Sequence, residues 1–216
     1  MHDSVRIDLS AFPRRKHYEY FSAMANPYVG LTVQVNIAPL FRRVKKEELP
    51  FFLTMLYALG NAANSIPQMR QRIIDGGITE FLACDSSYTV ALPDDTYCYC
   101  EVNTQQPFRT FLLSAKEAQK QAEQAASVTD ENPDTLFFVS SVPWISYTAL
   151  TLPTPFPADS NPRFTLGRYT VQNDETVLLP VSVLAHHALV DGLHIARFYD
   201  ALNRMITDLG NAADSR

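Results

Sequence analysis

Apolar and polar positions follow one another along the chain with two different periods, which predicts both strands and helices. From Gly30 to Ile37, four apolar residues alternate with polar ones, a pattern typical of a strand with one face in contact with water. The stretch from Pro50 to about Asn64 is apolar nearly all round, which predicts a buried helix. Two later stretches, Phe108 to about Ser127 and Leu193 to Leu209, carry one apolar stripe at helical spacing and are predicted to be helices.

The rest of the chain is mostly predicted strand, with one further helix near the N-terminus. Pro13 is suited to a first helical turn and predicts a helix that runs to about Met24. The further predicted strands are Arg72–Ile74, Ile78–Leu82, Ser87–Leu92, Tyr97–Val102, Leu136–Ser140, Ser146–Leu152, Arg163–Val171 and Thr176–Ala185. Pro and Asp cluster between Thr151 and Pro162, which indicates a long loop. The irregular order of strands and helices predicts an α/β fold, a single-domain two-layer sandwich with a mixed β-sheet over residues 1–216.

Amino-acid composition and net charge limit the classes of partner expected for this chain. A chain of 216 residues with 46% apolar residues can bury a core of its own. The formal net charge of −5 shows no basic excess, so we expect no nucleic-acid partner. No apolar run approaches the roughly 18 residues of a membrane span, and no apolar signal segment follows the first residues, so we expect no membrane partner. An odd number of cysteines, three, favours a reduced chain, and we expect a cytoplasmic protein.

Two adjacent histidines, His186 and His187, lie where a strongly apolar strand ends and the last helix begins. Consecutive strand side chains point to opposite faces, so the two are not expected to share a metal ion, and no metal-ligand spacing occurs elsewhere. Taken alone, the pair fits two structural histidines. The alternative is that one packs inward and the other is a general base in a cleft, since a neutral imidazole has a pKa of about 6.5. Asp191 is suited to cap the helix or to bind a cationic side chain.

The sequence around this pair is similar to a known motif. Residues 186–192 (HHALVDG) fit the HHxxxDG signature of acyltransferases that use coenzyme A thioesters. Four further landmarks occur at residues 13–21 (PRRKHYEYF), 137–144 (FFVSSVPW), 165–169 (TLGRY) and 178–182 (LLPVS). In motif, order and approximate spacing they resemble the type A chloramphenicol acetyltransferase family. The resemblance covers almost the whole chain and implies the fold of that family.

This resemblance implies a reaction and the residues that carry it. His187 matches the general base, which takes the proton of an acceptor hydroxyl as that oxygen attacks the thioester carbonyl of acetyl-CoA, the implied co-substrate. Ser140 matches a serine that donates to the oxyanion of the tetrahedral intermediate, and Thr165 matches a threonine that assists there through water. Asp191 and Arg14 match a buried ion pair that supports the active-site turn. No metal is implied.

The acceptor pocket is where the sequence departs from the family. Chloramphenicol is the first acceptor that the resemblance implies, which would make the protein an antibiotic-resistance enzyme. Tyr20, Phe21 and Ala25 match the substrate-binding region, but Phe21 replaces a tyrosine whose hydroxyl contacts the drug. A missing hydrogen-bond partner changes selectivity by orders of magnitude, so we expect retained chemistry and an altered acceptor pocket, which need not accept chloramphenicol.

The sequence carries less specific signals for coenzyme A binding and for oligomeric assembly. Arg168 is the candidate for binding the coenzyme A phosphates, with Lys45 or Lys46 as further candidates. The family assembles as trimers whose active sites lie between subunits, which implies a homotrimer here.

Other interpretations stay open. Ser140 also fits a strand serine bonded to the backbone, and Arg14 also fits a solvated face. Tyr97 and Tyr99 are interpreted as sheet packing. The catalytic domain of a dihydrolipoyl acyltransferase shares the histidine motif but transfers to a thiol. A non-catalytic ligand-binding relative would keep the fold and lack turnover, although the four residues His187, Ser140, Asp191 and Arg14 are all present.

Overall fold

The computed structural model of the protein describes residues 3–212. Its strands are Ser4–Ile7 (β1), Tyr28–Asn36 (β2), Gln71–Ile74 (β3), Gly77–Phe81 (β4), Asp85–Ala91 (β5), Tyr97–Val102 (β6), Leu136–Ser141 (β7), Arg163–Leu166 (β8), Thr170–Asn173 (β9) and Thr176–His186 (β10). Its α-helices are Arg15–Ser22 (α1), Ala38–Glu47 (α2), Phe51–Asn64 (α3), Phe108–Ala125 (α4) and Gly192–Asn211 (α5). Two short 3₁₀ helices cover Pro67–Arg70 and Pro133–Thr135.

The strands form one large mixed sheet and one small sheet. In the large sheet the order is β2-β10-β8-β7-β5-β6, and β9 pairs with β10 beside this path. β7 runs parallel to both β5 and β8, whereas the other pairs are antiparallel. The small sheet has the order β1-β4-β3 and is antiparallel throughout. The predicted α/β fold with a mixed sheet is confirmed.

Helices pack against one face of the large sheet. Alternate residues of β10, such as Leu179 and Val181, are fully buried in the same apolar core as Leu202 and Ile206 of α5. α5 packs against α2 and α3, and α4 packs against β6. Because strand side chains alternate, Ser182 and the other intervening residues of β10 point to the opposite side of the sheet, which we call the outer face.

Residues 142–162 form an irregular segment that lies over part of the outer face. The backbone N–H of Arg168 donates to the carbonyl oxygen of Ile145 (2.9 Å), and the Tyr147 hydroxyl donates to that of Thr165 (3.0 Å). The strand predicted at Ser146–Leu152 is therefore wrong. This part of the chain bonds to the outer face through a side chain and isolated backbone groups, not along the edge of a sheet.

Four other features differ from the prediction. The single strand predicted at Arg163–Val171 is interrupted and forms β8 and β9. Neither β1 nor α2 was predicted; α2 has Pro39 in its first turn and buries Leu40 and Val44 on one side. The first helix begins at Arg15, two residues after the predicted start, because Pro13 lies in the turn that precedes it.

Cys84, Cys98 and Cys100 are buried free thiols, and burial raises the pKa of each. Within residues 3–212, no helix has the length and apolar character needed to cross a membrane.

Candidate active site

The histidine pair lies at the end of β10, in the turn that leads into α5. His186 is the last residue of the strand and is only 4% exposed. Its Nδ1 accepts a hydrogen bond from the backbone N–H of Ala188 (3.3 Å), and burial lowers its pKa to about 4, so the ring is neutral at pH 7. One histidine of the pair is thus buried, as predicted, although its place in β10 directs His186 to the outer face and not to the core under the helices.

His187 is held in one tautomer and one orientation. Its Nδ1 lies 3.0 Å from the carbonyl oxygen of Val190. A carbonyl oxygen can only accept, so Nδ1 carries the proton and Nε2 keeps a lone pair. The ring stacks on Phe21 with 3.8 Å between centroids, and the backbone N–H donates to the carbonyl oxygen of Pro27 (2.7 Å). Within residues 3–212, Nε2 has no hydrogen-bond partner.

Arg14 and Asp191 are in contact beside this turn. The Arg14 guanidinium forms an ion pair with the Asp191 carboxylate and donates to the carbonyl oxygen of His187 at 3.3 Å. The other carboxylate oxygen accepts from the backbone N–H of Leu193 (3.0 Å), so Asp191 also caps α5. The two side chains are 16% and 30% exposed, so the pair is partly buried and not fully buried as expected.

His194 completes the first turn of α5. Its Nδ1 accepts from the backbone N–H of Asp191 at 3.0 Å, and burial lowers its pKa, which keeps it a neutral acceptor. Burial alone would raise the pKa of Asp191, but the Arg14 guanidinium and the hydrogen bond from the Leu193 N–H hold that pKa below its usual range. Asp191 is therefore a carboxylate at pH 7, as the ion pair requires.

A second group of predicted residues lies on the outer face. Ser140 of β7 and Thr165 of β8 are opposite each other in the two parallel strands, and their hydroxyl oxygens are 3.0 Å apart. The two hydroxyls are thus in direct contact. They belong to a row of hydroxyl-bearing residues across six strands, which we call the hydroxyl row; its β7 and β5 members directly follow the last paired residues, Val139 and Tyr88, and its other neighbours are in register. From β2 to β6 this row is Thr32, Ser182, Thr165, Ser140, Thr89 and Tyr99.

A cavity of about 740 Å³ opens on the outer face beside Ser140. Residues of β5, β6, β7 and β8 line it, and Trp144 and Pro153 of the irregular segment form another wall. Trp144 is the only tryptophan of the chain and is 72% exposed. The volume lies within the range of sites that bind small molecules.

His187 is not part of this cavity within one chain. Ser182, the β10 member of the hydroxyl row, lies four residues before His186, a distance of about 13 Å along a strand. Ser140 lies two strands away from β10, about 10 Å across the sheet. Because the two displacements are perpendicular, Ser140 is about 16 Å from the histidine turn. One chain does not bring His187 and Ser140 to the same reacting atom.

The family model described as chloramphenicol acetyltransferase matches residues 3–203. The chain belongs to the chloramphenicol acetyltransferase family. It is 30% identical over 203 residues to a chloramphenicol acetyltransferase of Klebsiella sp, covering 92% of this chain and 91% of that protein. It is also 30% identical over 207 residues to one of Streptomyces acrimycini, covering 94% of each. The protein is therefore an acyltransferase, and the family implies acetyl-CoA as its co-substrate.

Solved structures share the fold. A chloramphenicol acetyltransferase aligns with a TM-score of 0.86 at 23% identity, covering 94% of this chain and 100% of that one. A dihydrolipoamide acetyltransferase from Azotobacter vinelandii aligns with a TM-score of 0.66 at 19% identity, covering 90% of this chain and 86% of that one. The predicted chloramphenicol-acetyltransferase-like fold is confirmed.

The other residues that the family resemblance singled out do not line the cavity. Phe21 contacts the His187 ring, and the exposed Tyr20 packs edge-on against Phe21 with 5.1 Å between centroids. Ala25 is exposed in the connection from α1 to β2, and Arg168 is exposed between β8 and β9. Tyr20 and Phe21 thus belong to the histidine turn. Lys45 and Lys46 are exposed at the end of α2.

Sequence reasoning missed part of the cavity. The interpretation of Tyr97 and Tyr99 as sheet packing is incomplete: their rings stack 5.9 Å apart on the sheet, and both also line the cavity. They alternate along β6 with the buried Cys98 and Cys100, and this alternation was a signal that they point to the outer face. Asp130 also lines the cavity. It lies in an irregular connection, where no periodic pattern marks it.

Proposed function

We propose that the protein transfers the acetyl group of acetyl-CoA to a hydroxyl of a small acceptor, and that chloramphenicol or a chloramphenicol-like molecule is the first acceptor to test. The observation that carries the proposal is the state of His187. Its Nδ1 is engaged by the Val190 carbonyl, so Nε2 is free to take a proton. The acceptor is suggested by the names of the relatives.

In the proposed reaction, His187 Nε2 takes the proton of the acceptor hydroxyl as that oxygen bonds to the thioester carbonyl carbon. The carbonyl oxygen becomes the oxyanion of a tetrahedral intermediate. When the intermediate collapses, the carbon–sulfur bond breaks and the coenzyme A thiolate takes the proton back from the imidazolium. The products are the acetyl ester and free coenzyme A, and the histidine returns to its starting state.

Ser140 is the proposed oxyanion donor. Its Oγ is 3.0 Å from Thr165 Oγ1, so Thr165 can donate to it and leave the Ser140 proton directed to the cavity. The geometry required is a donor within about 3 Å of the developing oxyanion, and removal of one such donor typically costs about 10²–10³ in rate. Arg14 and Asp191 are proposed to support the His187 turn without contacting substrate.

We propose that the catalytic unit is a homotrimer in which His187 of one chain serves the cavity of its neighbour. The separation of about 16 Å between Ser140 and the histidine turn supports this arrangement, because the two groups need a common reacting atom. Exposed apolar side chains on the irregular segment, Trp144, Ile145 and Phe156, are suited to contact another chain. Arg168 is the proposed contact for the coenzyme A phosphates.

The test measures thiol release from acetyl-CoA by the purified protein, with and without chloramphenicol, for the wild type and for two variants. His187→Ala and Ser140→Ala are each expected to lose turnover, the first almost completely and the second by about 10²–10³. The two variants are then unfolded together, refolded as a mixture and assayed. Mixed trimers should regain activity, because some interfaces combine an intact His187 with an intact Ser140.

Each result has a distinct meaning. An active His187→Ala variant would remove the proposed base. Failure of the mixture to regain any activity, with both variants refolding separately to the wild-type size, would contradict the shared site. Binding of coenzyme A without acetyl transfer to chloramphenicol would move the search to other alcohols, and to a thiol such as dihydrolipoamide.

A further inference from the structure

We propose that the cavity selects an acceptor alcohol that also carries a cationic amine. The inference rests on the proposed function only in taking the cavity as the acceptor site. It concerns the end of the cavity away from the reacting hydroxyl, where the chain places a carboxylate and several aromatic rings.

The uncompensated charge of the cavity wall is negative. Asp95 and Asp130 both line the cavity, and within residues 3–212 neither forms an ion pair. Asp130 Oδ1 accepts a hydrogen bond of 2.6 Å from the Ser87 hydroxyl, which orients the carboxylate and leaves Oδ2 available to a ligand.

Among residues 3–212, the cavity wall has one cationic side chain, and it is already neutralised. Arg163 donates from both terminal nitrogens to Asp159, at 2.7 and 2.6 Å, in a two-pronged ion pair. Its guanidinium also lies over the rings of Tyr28 and Phe138. An anionic ligand would therefore compete with a formed ion pair, whereas a cationic ligand meets a carboxylate with an open oxygen.

Aromatic rings add to this preference. Tyr97 and Tyr99 stack along β6 and line the cavity together with Trp144 and Phe138. The faces of such rings carry negative electrostatic potential and attract ammonium groups within about 6 Å. A wall that combines aromatic faces with two carboxylates, Asp95 and Asp130, is suited to bind a cationic amine.

The hydroxyl row gives the size of the acceptor. Ser140, Thr89 and Tyr99 occupy neighbouring strands β7, β5 and β6, so Tyr99 is two strands, or about 10 Å, from Ser140. The reacting hydroxyl must lie near Ser140, and the amine is expected near Tyr99 and Asp130. An acceptor with a ring-sized spacer between its hydroxyl and its amine matches this separation.

The experiment uses two alcohols of nearly equal shape. One is 4-(dimethylaminomethyl)benzyl alcohol, a tertiary amine that is protonated at pH 7.5 and cannot itself be acetylated to a stable amide. The other is 4-isobutylbenzyl alcohol, in which a CH group replaces the ammonium nitrogen. We expect kcat/KM to be at least tenfold higher for the amine, and we expect the ratio to fall as salt is raised. A ratio of one or below overturns the proposal.

Two charge-neutralising variants locate the effect. Asp130→Asn should lower the ratio strongly, towards one, because it removes the oriented carboxylate nearest the amine and leaves only Asp95 on the wall. Asp208→Asn removes the same charge from an exposed position on α5, on the other side of the sheet, and should leave the ratio unchanged. An unchanged ratio in Asp130→Asn, or an equal fall in Asp208→Asn, overturns the assignment to Asp130.

Fluorescence separates this proposal from the proposed function. Trp144 is the only tryptophan and lines the cavity, so its emission reports binding of either alcohol without turnover. If no acceptor is acetylated, the proposed acetyl transfer fails. The cavity preference stands in that case if the amine binds the wild type at least tenfold more tightly than its isostere does, and if Asp130→Asn loses this difference. Equal binding of the two alcohols overturns the preference.

Discussion

The ion pair between Arg14 and Asp191 can be tested apart from the helix cap that the same aspartate provides. Asp191→Asn removes the charge but keeps a side-chain oxygen for the Leu193 N–H, since asparagine caps helices about as well as aspartate. The substitution therefore isolates the loss of the ion pair. Asp191→Ala removes both interactions and is the matched comparison.

The expected magnitude follows from the exposure of the two side chains. Exposed pairs contribute about 0–1 kcal/mol, and breaking a fully buried pair costs about 3–5 kcal/mol. At 16% and 30% exposure the pair lies between these limits, so Asp191→Asn should lower the free energy of unfolding by about 1–2 kcal/mol. Asp191→Ala should cost about 1 kcal/mol more through the lost cap. For a chain of this size, each kcal/mol lowers Tm by about 2–4 °C.

The assay is thermal unfolding at one fixed protein concentration, between pH 3 and pH 8. Because the folded pKa of Asp191 is lowered, its contribution is present above the unfolded pKa of about 3.9 and is lost as pH falls through the folded value. The difference between wild type and Asp191→Asn should therefore be constant from about pH 5 to 8 and should shrink in acid. Equal Tm values for the wild type and Asp191→Asn at pH 7, or a difference that grows in acid, would refute the reasoning.

Two further predictions concern the outer face and the buried histidine. Gly167→Ala would place a Cβ 2.5 Å from Pro180 Cγ and 2.7 Å from Tyr147 Cε1, so it should displace Tyr147 and destabilise the fold by about 1–3 kcal/mol. Gly192→Ala is the control and should have little effect, because apart from its chain neighbours and the backbone of its own helix no described atom lies within 4 Å of the added Cβ. Equal Tm values for the two variants would contradict this expectation. His186 has its pKa lowered to about 4, so the unfolded chain binds more protons between pH 4 and 6.5 and stability should fall as pH falls through that window, by up to about 3 kcal/mol. His186→Gln should flatten this part of the stability profile, and an unchanged slope measured by urea unfolding would count against it.

Much of the fold could be predicted from the sequence because its helices and strands bury apolar residues that recur with the period of the element. α5 repeats apolar residues at helical spacing, and β10 is apolar almost throughout because it lies inside the sheet between β2 and β8. The strand predicted at Ser146–Leu152 shows the limit of this reasoning. Its residues have a strand-like composition, but what they bond to is decided by distant residues, such as Thr165 beneath Tyr147.

The candidate site was predictable to the extent that it is built from contiguous motifs. The turn from His186 to Gly192 is local, and its contact with Arg14 follows from a motif at the other end of the chain. The cavity is different, since its wall collects residues from four strands and three connections between elements. Asp130 and Trp144 come together there only through tertiary structure, and no periodic pattern in the sequence predicts that they are neighbours.

The burial of all three cysteines bears on how this protein can be handled. A colourless aromatic disulfide that turns yellow on reaction with thiolates will find Cys84, Cys98 and Cys100 shielded while the chain is folded. The reagent will then react only with the coenzyme A that is released, and it can be present throughout a continuous assay without modifying the folded enzyme. Once the chain opens, three equivalents of colour will appear per molecule, so a single reagent can follow both turnover and the lifetime of the native state.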